Sequence, residues 1–211
     1  MNKKFAATHV AAASALALVA GGCVGYFLVA GNSSDSVSVT AKRACPEIDT
    51  DDTTAQAFSE LASSGSTVNS QLSEKSSGTN TYSYSCSVSV DGKSKLLLTA
   101  ELAQSGSVET WRKNLAENGD IGTDKDRQTF PVSKKGYGLS SPFSAAVYLE
   151  CKPTGSTLTG ASNLNIEVTL LPRKSDSTSD RANLTRVARS LATHAQSAAH
   201  CQNPEKILNG T

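Results

Sequence analysis

Residues 81–90, Thr-Tyr-Ser-Tyr-Ser-Cys-Ser-Val-Ser-Val, alternate with a period of two and without a break. Tyr82, Tyr84, Cys86, Val88 and Val90 fall on one face, and Ser83, Ser85, Ser87 and Ser89 on the other. Only a strand with one buried and one wet face satisfies that pattern. Asp91-Gly92 turns the chain, and Leu96, Leu98, Ala100 and Leu102 resume the apolar face on a return strand. Register constrains the turn. A two-residue loop in a regular ladder sets Cys86 opposite Leu97 and mixes the faces, whereas a three-residue loop keeps even positions against even ones. The sequence therefore predicts an odd loop, with Gly92 left-handed.

Further strands are predicted at 130–132, 145–151 and 164–170, with Lys134–Ser140 as an exposed glycine turn. Three helices are predicted. Asp51 or Asp52 caps one carrying Ala55, Phe58, Leu61 and Ala62, which Gly65 ends. Ser107 caps one carrying Val108, Trp111 and Leu115. Ser179 or Asp180 caps the last, with Leu184, Val187, Ala188, Leu191, Ala195 and Ala198 at helical spacing. Residues 63–80 are polar and read as a loop. Tight alternation and a short hairpin imply an antiparallel sheet with helices packed on one face, an α+β fold.

The N-terminus carries an address. Lys3 and Lys4 precede 21 uncharged residues, Val10–Ala30, which span about 31 Å as a helix and match a bilayer core. Three readings follow: an uncleaved signal-anchor, a lipoprotein signal with Cys23 as the lipidation site, or a cleaved secretory peptide. The stretch before Cys23 is an imperfect lipobox, with Ala20 where Leu is usual. All three export the remainder, and the first two leave it tethered. The organisation expected is an anchor or signal over 1–30, a Ser-rich stalk over 31–44, an extracytoplasmic domain over 45–203 and a tail over 204–211. With 20 Lys and Arg against 19 Asp and Glu, no basic field exists for nucleic acid.

Cys45, Cys86, Cys151 and Cys201 make an even set in an exported domain, so two disulfides are expected. Separations of 41, 65 and 50 residues lack the close ligand pairs of a zinc site. The pairing Cys45–Cys86 with Cys151–Cys201 keeps each bridge inside one half of the chain, and the nested pairing Cys45–Cys201 with Cys86–Cys151 is the alternative.

No catalytic, cofactor or metal motif emerges. His194 and His200 are six apart, too far for one metal on a helix face, and read as solvent-facing. Arg181, Arg186 and Arg189 read as a solvated helix face. Gly136-Tyr137-Gly138 lacks the rest of a nucleotide loop. Trp111, the only tryptophan, reads as a core anchor rather than a ligand platform. Tyr137 beside Lys134 and Lys135 is the candidate partner contact.

The Cys-x-Val-x-Val-Asp-Gly hairpin at Cys86, Cys45 before the first helix, Gly136-Tyr137-Gly138 before a strand, and the export signal with its Ser-rich stalk resemble small exported actinobacterial cell-envelope proteins and lipoproteins of unknown function, many with a PsbP-like α+β fold. The resemblance covers roughly residues 45–203 and implies a binding or accessory role, with no catalytic residues and no cofactor to carry over. The function expected is a membrane-tethered extracytoplasmic protein that binds an envelope protein or a small ligand. A triad assembles through space rather than through spacing, so a cell-envelope hydrolase with a Ser/His site is the alternative.

Overall fold

The structure, a computed structural model, describes residues 37–208 apart from 49–50, 78–79, 105–106, 124, 159–160 and 174–177. The expected anchor, Cys23 and the first part of the stalk lie outside the described residues. Among the described residues no helix is long and apolar enough to cross a membrane.

In chain order the elements are β1 (Val37–Ser38), α1 (Ala41–Ala44), a 3₁₀ turn (Pro46–Ile48), α2 (Asp52–Ala62), β2 (Ser64–Gly65), β3 (Val68–Ser77), β4 (Thr81–Val90), β5 (Lys93–Gln104), α3 (Val108–Glu117), β6 (Gln128–Pro131), β7 (Tyr137–Ser140), β8 (Ser144–Glu150), β9 (Ser162–Leu170) and α4 (Thr178–Ala198). β1 and β2 form a small ribbon. The other strands form one antiparallel sheet in the order β3-β4-β5-β9-β8-β7-β6. Two meanders, each followed by a helix, thus meet at their last strands, β5 and β9.

The central hairpin has the expected faces. Cys86 lies opposite Leu98, and Val88 opposite Leu96. The turn differs from the odd loop that register favoured. Val90 pairs with Lys93, so Asp91-Gly92 is a two-residue turn, both residues left-handed at φ 50° and 73°. A register shift after Val88 passes over Lys95 and restores parity. The short turn matches the strand twist, and a one-residue bulge absorbs the mismatch.

The inner face holds the main core. β4, β5, β9 and β8 contribute Tyr84, Val88, Leu98, Ile166, Leu149 and their alternating neighbours, all buried. α2 and α4 cover them with Phe58, Leu61, Leu184, Val187 and Leu191. Each such side chain stabilises the fold by roughly 1.5–3 kcal/mol relative to exposure. The expected α+β arrangement of helices on one face holds for α2 and α4. α3 lies against the other face, where Trp111 and Leu115 meet Ala146 and Tyr148. On β8 these two alternate with Ala145, Val147 and Leu149 of the main core.

Both disulfides follow the half-by-half pairing. Cys45–Cys86 ties the segment before α2 to the middle of β4, and Cys151–Cys201 ties the end of β8 to the end of α4, with Cα separations of 6.1 and 5.0 Å.

Several boundaries move. Residues 63–80 are not a loop: Val68–Ser77 pairs along its whole length with β4. An edge strand is held by backbone bonds on one side only and can be polar on both faces. Lys134–Ser140 is only half a turn, because Tyr137–Ser140 is strand β7. Gly138 is required there, since a Cβ at that position would meet the Phe130 ring at 2.5 Å. The stalk is shorter than expected, because Val39, Ala41 and Ala44 are buried in the core. The tail is docked as far as Leu208: Ile207 packs on the core, and Leu208 N–H donates to Val132 O at 2.7 Å. Asp51 caps α2, accepting from Thr54 N–H at 2.7 Å. α2 ends at Ala62, before Gly65. α4 begins at Thr178, so Ser179 and Asp180 stand in its first turn rather than before it.

Candidate functional site

The outer face of the sheet is polar by construction. Every second residue of β4, β5 and β9 points away from the core, and those residues are Ser83, Ser85, Thr99, Glu101, Asn165 and Glu167 among others. Strand register lines them into rows. One row runs Lys75, Ser83, Glu101, Asn165, Tyr148, Tyr137 across six strands. The next runs Ser85, Thr99, Glu167, Ala146, Leu139. Opposite residues in such rows sit about 5 Å apart and diagonal ones about 7 Å, so Glu101 and Glu167 are near neighbours.

α3 covers part of this face. Ser107 caps it, accepting from Thr110 N–H at 3.3 Å, and Trp111 and Leu115 are its buried positions. The Trp111 ring packs against Tyr148 at 5.7 Å between centroids, tilted by 53°. Between α3 and the strands lies a cavity of about 520 Å³, with β9 as its floor and Trp111 in its wall. That size is within the usual range of small-molecule sites.

Two features of the floor are unusual. Glu167 is flanked by hydroxyls: Thr169 Oγ1 donates to its Oε1 at 2.7 Å, and Ser144 Oγ does so at 3.4 Å. Burial nevertheless raises its pKa above the usual carboxylate value, outweighing those bonds, and the Asp120 charge adds to the rise. Asn163 is 2% exposed. Its amide nitrogen donates to Asn165 Oδ1 at 2.6 Å, but its own Oδ1 is buried with no hydrogen-bond partner among the described residues.

A second polar cluster lies on the inner side. Glu74 on the edge strand accepts from Tyr82 OH at 3.1 Å and pairs with His194 Nε2 at 2.8 Å. His194 stands edge-on to Tyr84 at 5.7 Å. His194 is therefore not the solvent-facing residue expected; its side chain is 19% exposed. Burial raises the pKa of both tyrosines, and the Glu74 charge adds to it. The bond on His194 goes to a carboxylate, while Ser190, one turn earlier, donates to Ile48 O at 2.8 Å. His200 lies beyond the helix at φ 52°, its carbonyl accepting from Thr154 N–H. Among the described residues no group of His, Cys, Asp and Glu could hold a metal.

Two of the three arginines of α4, Arg181 and Arg189, are fasteners. Arg181 donates to Ser140 O and Asp126 O, each at 2.8 Å. Arg189 donates to Pro131 O and lies 5.2 Å over the Phe130 ring.

Tyr137, Lys134 and Lys135 are exposed, Tyr137 at 51%. They line an open groove of about 690 Å³ that Trp111 also borders. Lys135 N–H donates to Glu205 Oε2 at 2.9 Å, fixing the turn. Cys23, the candidate lipidation site, lies outside the described residues. The cavity under α3 was not singled out from sequence. Its signal was there: the outward positions of β9 are two amides, a carboxylate and a threonine, Asn163, Asn165, Glu167 and Thr169, and the lone tryptophan sits on the next helix in space.

Comparisons with family models, with curated proteins and with solved structures found no match.

Proposed function

We propose that the chain is a membrane-tethered binding or accessory protein of the bacterial cell envelope, working on the extracytoplasmic side. The observation that carries this reading is the division of the sheet. The inner face beneath α2 and α4 is largely apolar and covered, and the outer one presents a formed polar cavity whose described lining holds no His or Cys. Two disulfides suit an oxidising compartment. The uncharged Val10–Ala30 segment behind Lys3 and Lys4 is long enough to anchor the domain, and the resemblance to small envelope proteins points the same way. The groove at Lys134, Lys135 and Tyr137 offers a second surface for a protein partner.

A periplasm-active reporter fused after Thr211, paired with a cytoplasm-active one, tests the placement. Activity of the first alone is expected, with membrane fractionation of the full chain. Activity of the cytoplasmic reporter alone overturns the reading. A mature chain beginning at a lipidated Cys23 keeps the placement and assigns the anchor to lipid.

A further inference from the structure

We infer that the cavity between α3 and the outer sheet face takes a neutral, hydroxyl-rich ligand of mono- or disaccharide size, with Asn163 and Glu167 in its floor and Trp111 in its wall. This rests on the reading of the chain as a binding protein, and it names the ligand class.

Charge removes one class. Among the described residues, the acidic ones lining the cavity are Glu101, Asp120 and Glu167, and no Lys, Arg or His lines it. An anion placed there finds repulsion and no counter-charge. The amides decide between the remaining classes. Gln104, Asn114, Asn118, Asn163 and Asn165 all line the cavity, and each offers N–H donors beside its acceptor oxygen. A hydroxyl group donates and accepts at once and can use both. An ammonium group donates only, and would leave those N–H groups without partners. Asn163 Oδ1, buried and unpartnered, is an acceptor waiting for a donor, and a buried polar atom left so costs stability. A ligand hydroxyl supplies that donor. Trp111, mostly buried against Tyr148, still borders the cavity, and its open edge gives an apolar contact for the C–H side of a sugar ring.

Trp111 is the chain's only tryptophan, so its fluorescence reports on the cavity directly. The full chain is held in a polyoxyethylene detergent, which carries no sugar headgroup. It is titrated at pH 6 with glucose, galactose, mannose, N-acetylglucosamine and sucrose, and separately with cationic glucosamine and anionic glucuronate. A saturable change with at least one neutral sugar is expected, and none with glucuronate. Asn163→Ala is expected to weaken binding roughly fivefold to tenfold, the loss of one hydrogen bond. Glu101→Ala, at an exposed lining position where folding is not at stake, is expected to do the same. Ser87→Ala, on the same face outside the cavity, leaves binding unchanged. Saturation by glucosamine alone overturns the neutral class. Silence from every probe, or equal binding by the Asn163 and Glu101 variants and the wild type, overturns the inference. Neither result touches the envelope placement, which the reporter fusions decide separately.

Discussion

The two faces of the central sheet are made by the same strands and serve opposite ends. On the inner face, β4 places Tyr84, Cys86 and Val88 under α2 and α4, each at most 2% exposed. On the outer face the same strand places Ser83, Ser85 and Ser87, and β9 places Asn163, Asn165 and Glu167. Both disulfides are anchored in the inner core through Cys86 and Cys151. On the outer face the described residues form one small cluster under α3. Apolar burial and cross-links on one side leave the other free to keep polar groups that stability alone would remove, a carboxylate in a desolvated setting and an amide oxygen without a partner.

The sharpest way to break this comparison is to exchange characters across one strand. Val88→Asp places a charge in the inner core and should cost about 5 kcal/mol, read as a large loss in denaturant midpoint or as failure to fold. Ser87→Asp, one residue along, should shift the midpoint little. Equal effects of the two would mean that the faces are not what the register says.

Next in size is the cross-link. Removing Cys45–Cys86, which closes a 41-residue separation, should cost about 4 kcal/mol on the chain-entropy model. Cys86→Ser should also leave Cys45 open to alkylation while Cys151 and Cys201 stay blocked, as peptide mapping would show. An alkylated Cys151 in that variant would contradict the independence of the two halves.

Gly138→Ala tests close packing at the sheet margin. The new methyl meets the Phe130 ring at 2.5 Å, and Phe130 is fixed beneath Arg189. A loss of about 2 kcal/mol is expected from overpacking. Unchanged thermal stability would show that Phe130 moves freely.

The inner face was legible in the sequence, and the outer one was not, for a physical reason. Alternation identifies which residues of a strand are dry, because burial selects apolar side chains at every second position. It says nothing about what covers the wet ones. Glu167 and Asn165 read as solvent-facing positions, and only the placement of α3 across the sheet encloses them. β3 carries no alternation signal because it is an edge strand paired on one side only. Its backbone bonds need no apolar side chains, so Glu74 and Lys75 are as acceptable as valine. The hairpin's true parity is not legible, because the bulge at Lys95 leaves no mark on composition. The cysteine pairing was readable, since each bridge spans a compact half of the chain.

The smallest effect expected is also the most specific to the outer face. Burial raises the Glu167 pKa above its ordinary value of 4.5. A carboxyl whose pKa rises on folding contributes stability that is fully present below its unfolded pKa and lost as pH climbs through the folded one. Wild type should therefore lose stability from this group as pH rises from about 4.5 toward neutrality. Glu167→Gln keeps the shape and an acceptor for Thr169 but cannot ionise. The variant should melt a few degrees above wild type at pH 7, and the gap should close by pH 4. A gap that is constant with pH, or a variant less stable at pH 7, would mean that the carboxylate is not held against its solvation and that the outer face is only a wet surface. A pH-dependent gain in stability with weaker sugar binding in the same variant would tie the instability of that carboxylate to the ligand it serves.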